Sequence, residues 1–154
     1  MKVSPTTVYL IRNVWSEANY KVGVTGNVSR RIAEIEEQYG VEAQLIDSCW
    51  FPTRNDAEKA ELTWHRRYAE NRTDDHGGRE WFSLGKTQIT EFCDWAELSL
   101  TGDALKKWLY REGASWKELK EYVDKVLRSI PKQHYPPSID VWTAQTSTNC
   151  LMLS

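Results

Sequence analysis

Two short segments rich in β-branched and aromatic residues open the chain: Val8-Tyr9-Leu10-Ile11-Arg12 and Tyr20-Lys21-Val22-Gly23-Val24-Thr25. Residues of these types favour strands. The polar stretch from Asn13 to Asn19 suits a hairpin connection, and Thr25-Gly26-Asn27 is a turn signal. The period then changes. Val28, Ile32 and Ile35 fall at helical spacing, which predicts a helix from Val28 to Gln38 ended by Gly40. Val41 to Phe51 predicts a third strand, broken by Pro52-Thr53. Asn55 or Asp56 can cap a following helix to about Asn71, with Ala57, Ala60, Trp64 and Tyr68 at helical spacing. Arg72 to Gly78 is polar and loop-like. Residues 79–84 form a short extended segment, and Thr87 opens a helix through about Leu98.

The last third has a different pattern. Asp103 to Arg111 predicts a helix ended by Gly113. Ser115 and Glu118 have capping-box spacing and open another helix. Along it Trp116, Leu119, Val123, Val126, Leu127 and Ile130 make one apolar stripe, stopped by Pro131. Residues 132–154 predict an extended tail. The pattern implies an α+β fold: a small three-stranded antiparallel sheet flanked by helices, with an appended C-terminal helical region. The expected division is a domain over 1–100, a helical extension over 101–131 and a tail over 132–154. A core of about 85 residues can be complete without the extension. Its apolar stripe packs on the domain or forms an interface with a second copy or a partner protein. The Gly113-Ala114-Ser115 turn also has helix-turn-helix flavour, with Lys117, Lys120, Lys125 and Arg128 available to phosphates. Glu118, Glu121 and Asp124 oppose that reading, so packing is favoured.

Composition narrows the class. Of 154 residues, 40% are hydrophobic and 27% charged, which fits a globular protein and not a disordered one. Eight Trp and seven Tyr are enough to fill a core and still line a surface. The net charge is −2, so any nucleic-acid face must be a local patch with modest, salt-sensitive binding. Residues 1–100 carry 12 basic and 16 acidic side chains; residues 101–154 carry 8 and 6. Cys49, Cys93 and Cys150 are isolated, without the spacing of a disulfide framework or zinc site. With no apolar leader and no long apolar run, the expectation is a soluble cytoplasmic protein without a membrane partner.

The chemistry-bearing residues come in a definite order: Tyr9, Lys21, Arg30-Arg31, then Glu61 and His65. A Tyr can relay a proton, a Lys and an Arg can neutralise phosphate charge, and a Glu can hold a divalent cation. Each has a plainer alternative. Tyr9 can be a strand aromatic, Lys21 and Arg31 solvated surface charges, and Glu61 an exposed helix residue paired with Arg. His65 shares a helix face with Glu61. It can be a supporting partner, a proton shuttle or an ordinary surface His.

The ordered set resembles the GIY-YIG nuclease superfamily over about residues 6–84. Val8-Tyr9-Leu10 stands at the first motif and Lys21-Val22-Gly23 at the second. Arg31 falls eight positions beyond Gly23, and Ala57-Glu58-Lys59-Ala60-Glu61 matches an A-x-x-x-E helix. The first motif lacks its leading Gly, and Lys21 replaces the second Tyr. With Glu61-Leu62-Thr63-Trp64-His65 and Glu80-Trp81-Phe82, the pattern is similar to a phage and bacterial branch. The resemblance implies a metal-dependent DNA endonuclease. Its catalytic residues would be Tyr9, Lys21, Arg31, Glu61 and His65, with Glu61 holding Mg²⁺ or Mn²⁺. Tyr9 would act as general base in the cationic field of Lys21 and Arg31. Because neighbouring helix residues lie about 100° apart, Arg31 alone of the pair is expected in the site. The other function class is a catalytically weak adaptor that keeps the fold and binds nucleic acid or protein.

Overall fold

The computed structural model describes residues 4–73, 81–100 and 115–132. Its strands are β1 (Thr6–Asn13), β2 (Asn19–Thr25), β3 (Ala43–Phe51) and β4 (Trp81–Ser83). The helices are α1 (Val28–Tyr39), α2 (Arg54–Arg67), α3 (Lys86–Ala96) and α4 (Trp116–Arg128). A 3-10 turn, Ala69–Asn71, follows α2. The expected helix over 103–111, Glu80 and the tail beyond Lys132 lie outside the described residues.

The architecture is α+β, but the sheet has four strands and not three. All pair antiparallel in the order β3-β1-β2-β4. A three-residue strand has too little alternation to be read alone. Pairing makes it one: Asn19↔Ser83, Tyr20↔Phe82 and Lys21↔Trp81.

Alternation along the strands divides the interior in two. Val8, Leu10, Tyr20, Val22, Cys49, Phe51 and Phe82 face the larger core with residues of α2, α3 and α4. Tyr9, Ile11 and Trp81 face the smaller core with Ile35 of α1 and Val41. In the larger core the Trp64 ring contacts Tyr68, Phe92 and Trp95 at centroid distances of 5.1–5.3 Å. Aromatic pairs at such distances add to what burial alone contributes.

Local signals explain the helix ends. Asn27 caps α1 by accepting from the Arg30 N–H, and Gly40 ends it at φ 64°, a left-handed conformation that suits glycine. The cap of α2 is Thr53, not Asn55 or Asp56. Its hydroxyl accepts from the Asp56 N–H and donates to the Asp56 carboxylate. Thr53 wins because Pro52 already ends the strand there. At the other end of α2, Arg67 forms a two-nitrogen pair with Glu91 of α3, the shorter contact 2.6 Å. Arg67 also donates to the Lys132 carbonyl at 2.8 Å.

Ser115 caps α4 by accepting from the Glu118 N–H. Leu119, Val123, Val126 and Ile130 of its stripe are buried, and Val123, Val126 and Ile130 belong to the larger core. Trp95 Nε1 donates to the Val126 carbonyl at 2.7 Å, and the Tyr122 hydroxyl donates to the Trp50 carbonyl at 3.0 Å. The helix is therefore an integral layer of the fold. Trp116, at the start of the stripe, stays 39% exposed beside a groove of about 510 Å³ between α4 and the start of α2. Among the described residues, no helix is long and apolar enough to cross a membrane.

Candidate active site

Tyr9 and Gly23 are direct partners across β1 and β2. The Tyr9 ring lies flat against the place where a side chain would stand. A Cβ built on Gly23 would sit 2.3 Å from the Tyr9 hydroxyl and 2.6 Å from Cζ. Glycine is thus needed at position 23 for space, not for backbone freedom. The ring is only 2% exposed, yet Tyr9 reaches the wall of a cleft of about 370 Å³.

The turn after β2 builds the next wall. The Thr25 hydroxyl accepts from the Asn27 N–H and donates to the Asn27 carbonyl, both at 3.1 Å. This fixes the start of α1, whose first turn carries Arg30 and Arg31. Both line the cleft. The expectation that only one would do so fails because the cleft meets the end of the helix, where two long side chains can converge. Arg31 is the less exposed of the two and makes a loose 3.5 Å pair with Glu34.

The third wall is α2. Ala57 and Ala60 are fully buried, which lets the helix lie close on the sheet. Arg54, Glu58 and Glu61, spaced at four and three residues, line the cleft. Arg54 Nε meets Glu58 Oε2 at 3.1 Å, and both are exposed. Arg54 and Glu58 are the residues that sequence reasoning missed. Their helical spacing from Glu61 was the available signal.

The charge arrangement at the start of α1 is unusual. The N-terminus of a helix carries partial positive charge and favours acidic side chains. Here α1 has no acid in its first turn but two arginines near its start, whereas α2 starts on Arg54 but also has Asp56 in its first turn. Cations placed against the dipole cost stability unless an anion is to be bound there. Glu58 and Glu61 supply the acidic side of the same cleft.

Lys21 and His65 do not line the cleft. Lys21 is fully buried, so the solvated-charge alternative fails. It stands opposite Trp81, with Nζ 6.0 Å from the ring centroid, and shares the sheet face of Tyr9 and Gly23. A buried ammonium is costly without compensation, so its position is a specific one. His65 is half-buried, and its Nε2 lies 2.8 Å from the Val22 carbonyl. Tyr9, Arg31 and Glu61 are brought together; Lys21 lies two residues before Gly23 on the same sheet face, and His65 sits one helical turn beyond Glu61. Among the described residues, no group of three or more His, Cys, Asp or Glu side chains could hold a metal ion.

An α+β domain with a polar cleft at the end of a β-hairpin, between the starts of two helices, is thus the class of protein that fold and site define. Residues 6–97 match the T5orf172 domain, and the chain belongs to this family. The domain is found in phage-associated and homing-endonuclease-like proteins. No curated protein and no solved structure matches the chain significantly.

Proposed function

We propose that this chain is a divalent-metal-dependent DNA endonuclease of the GIY-YIG type. The observation that carries the reading is the meeting of a buried phenol, two helix starts bearing arginines and a half-buried carboxylate in one cleft. Arg31, with Arg30 and Arg54, offers guanidinium groups to a phosphate. Tyr9 is seated on Gly23 so that its oxygen, once ionised to phenolate beside the cationic groups, can take a proton from the attacking water. Lys21, buried on the same sheet face, would add positive charge near the phenol. Glu61 would hold Mg²⁺ or Mn²⁺, with Glu58 one turn earlier on the same wall. A one- or two-carboxylate site suits a cation that keeps several waters and takes phosphate oxygens as ligands. When bound, such a cation supplies Lewis-acid stabilisation of the leaving oxygen.

The sparse acidic set also suits the rival, a binding module that holds a phosphate backbone without cutting it. Plasmid nicking with Mg²⁺ or Mn²⁺, against chelator, separates the two. Glu61→Ala is expected to lower cleavage by at least ~10²-fold with the circular dichroism spectrum unchanged, since metal stabilisation is worth several kcal/mol. Wild-type cleavage by folded Glu61→Ala protein would remove Glu61 from the site. No cleavage by the native chain, with DNA still retained, would establish the binding module.

A further inference from the structure

The geometry points to His65 as a positioning residue that clamps the helix carrying Glu61 to the strand that seats Tyr9. Among the described residues, the β2–β4 ladder includes Lys21↔Trp81. The next carbonyl along β2, that of Val22, meets His65 Nε2 at 2.8 Å. A carbonyl only accepts, so Nε2 carries the proton and donates it. The imidazole also packs on Phe82 of β4, with centroids 5.2 Å apart. His65 thus ties α2 to β2 one residue past Lys21↔Trp81, and to β4 through Phe82.

The residue after Val22 is Gly23, the platform under the Tyr9 ring. One turn before His65 on α2 is Glu61, on the cleft wall. The His65–Val22 hydrogen bond therefore links the two supports of the cleft, β2 beneath the phenol and α2 beneath the carboxylate. A proton shuttle would have to face the reacting atoms. His65 does not line the cleft, and its Nε2 is engaged with the backbone. His65 bears on cleavage only if the nuclease reading holds; its hold on β2 does not depend on that reading.

Two variants in the full chain provide the test. Gln can present an amide N–H near the position of Nε2, whereas Ala cannot. His65→Ala is expected to speed backbone amide exchange over residues 22–25 about tenfold, the worth of one lost hydrogen bond. His65→Gln should keep near-native exchange. In nicking assays His65→Ala should lower kcat by about 10²-fold, the scale of a 1 Å misplacement, with DNA affinity little changed. His65→Gln should recover most of that loss and keep the native pH–rate profile. If His65→Gln loses activity as His65→Ala does, or loses the acid limb of the profile, His65 moves protons and the assignment is overturned. Unchanged exchange in His65→Ala also overturns it, whether or not the native chain cuts DNA. Absence of cleavage by the native chain sinks the nuclease reading alone, since the exchange result still decides the clamp.

Discussion

At the scale of single residues, Gly23 is tightly constrained by the Tyr9 ring that faces the cleft. Any side chain there must displace the Tyr9 hydroxyl, whose contact with a built Cβ would be 2.3 Å. Gly23→Ala is therefore expected to cost about 1–3 kcal/mol, as overpacking does. It should also lower nicking about 10²-fold by moving the phenol. Thermal melts and rates on the same preparation check both parts; a native rate would mean that the phenol's placement is irrelevant. The arginines make a second residue-scale prediction. Both line the cleft, so both alanine variants should lose rate. Arg31→Ala should lose more, because the less exposed guanidinium acts through less water and its charge is less screened. Side-by-side nicking rates decide, and a larger loss at Arg30 reverses the assignment.

At the scale of elements, α4 carries the main lesson. Its stripe was legible as amphipathic, but periodicity does not say what covers an apolar face. Here the cover is the larger core itself, reached through Val123, Val126 and Ile130. A chain ending at Leu100 would expose that core and leave the Trp95 indole N–H without its 2.7 Å acceptor. Such a fragment is expected to melt without a cooperative transition or to aggregate, as circular dichroism melts and gel filtration would show. Tyr122→Phe is the gentler probe. It removes the 3.0 Å bond to the Trp50 carbonyl and should lower stability by about 1 kcal/mol in urea unfolding. A soluble, cooperatively folding fragment ending at Leu100 would show that α4 is dispensable.

At the scale of the whole molecule, burial sets an alkaline limit. Burial, more than the opposing Ser99 hydrogen bond, pushes the Cys49 thiol from 9.0 up to about 12. Burial likewise raises the Tyr122 phenol from 10.0 to about 12, and the Tyr68 phenol further. The folded state holds these protons more tightly than the unfolded chain. Their contribution is whole below pH 9 and falls as pH rises from there toward 12. The slope is about 1.4 kcal/mol per pH unit for each group in its window. Urea midpoints should thus drop steeply above pH 9, with a shallower drop in Cys49→Ala. Parallel curves for the two proteins would remove Cys49 from the account.

The hairpin, the helices α1 and α2, and the residues Tyr9, Arg31 and Glu61 were legible in the sequence because their signals are local. Alternation, helical spacing, turn residues and motif spacing all act within a dozen positions. β4 was not legible, since three residues become a strand only by pairing with β2. The Thr53 cap depended on where β3 stops. Arg30 joined the cleft because a helix end, not a helix flank, forms its wall. Lys21 read equally well as a surface charge, and only packing on its face of the sheet, beside Trp81, buried it. His65 shared a face with Glu61 in the sequence, but the partner that defines its role, the Val22 carbonyl, lies 43 residues away. Sequence by itself determined the longer elements and which side chains can do chemistry. Tertiary structure decided which of them meet, because packing across the sheet and between helices brings together groups that no local period relates.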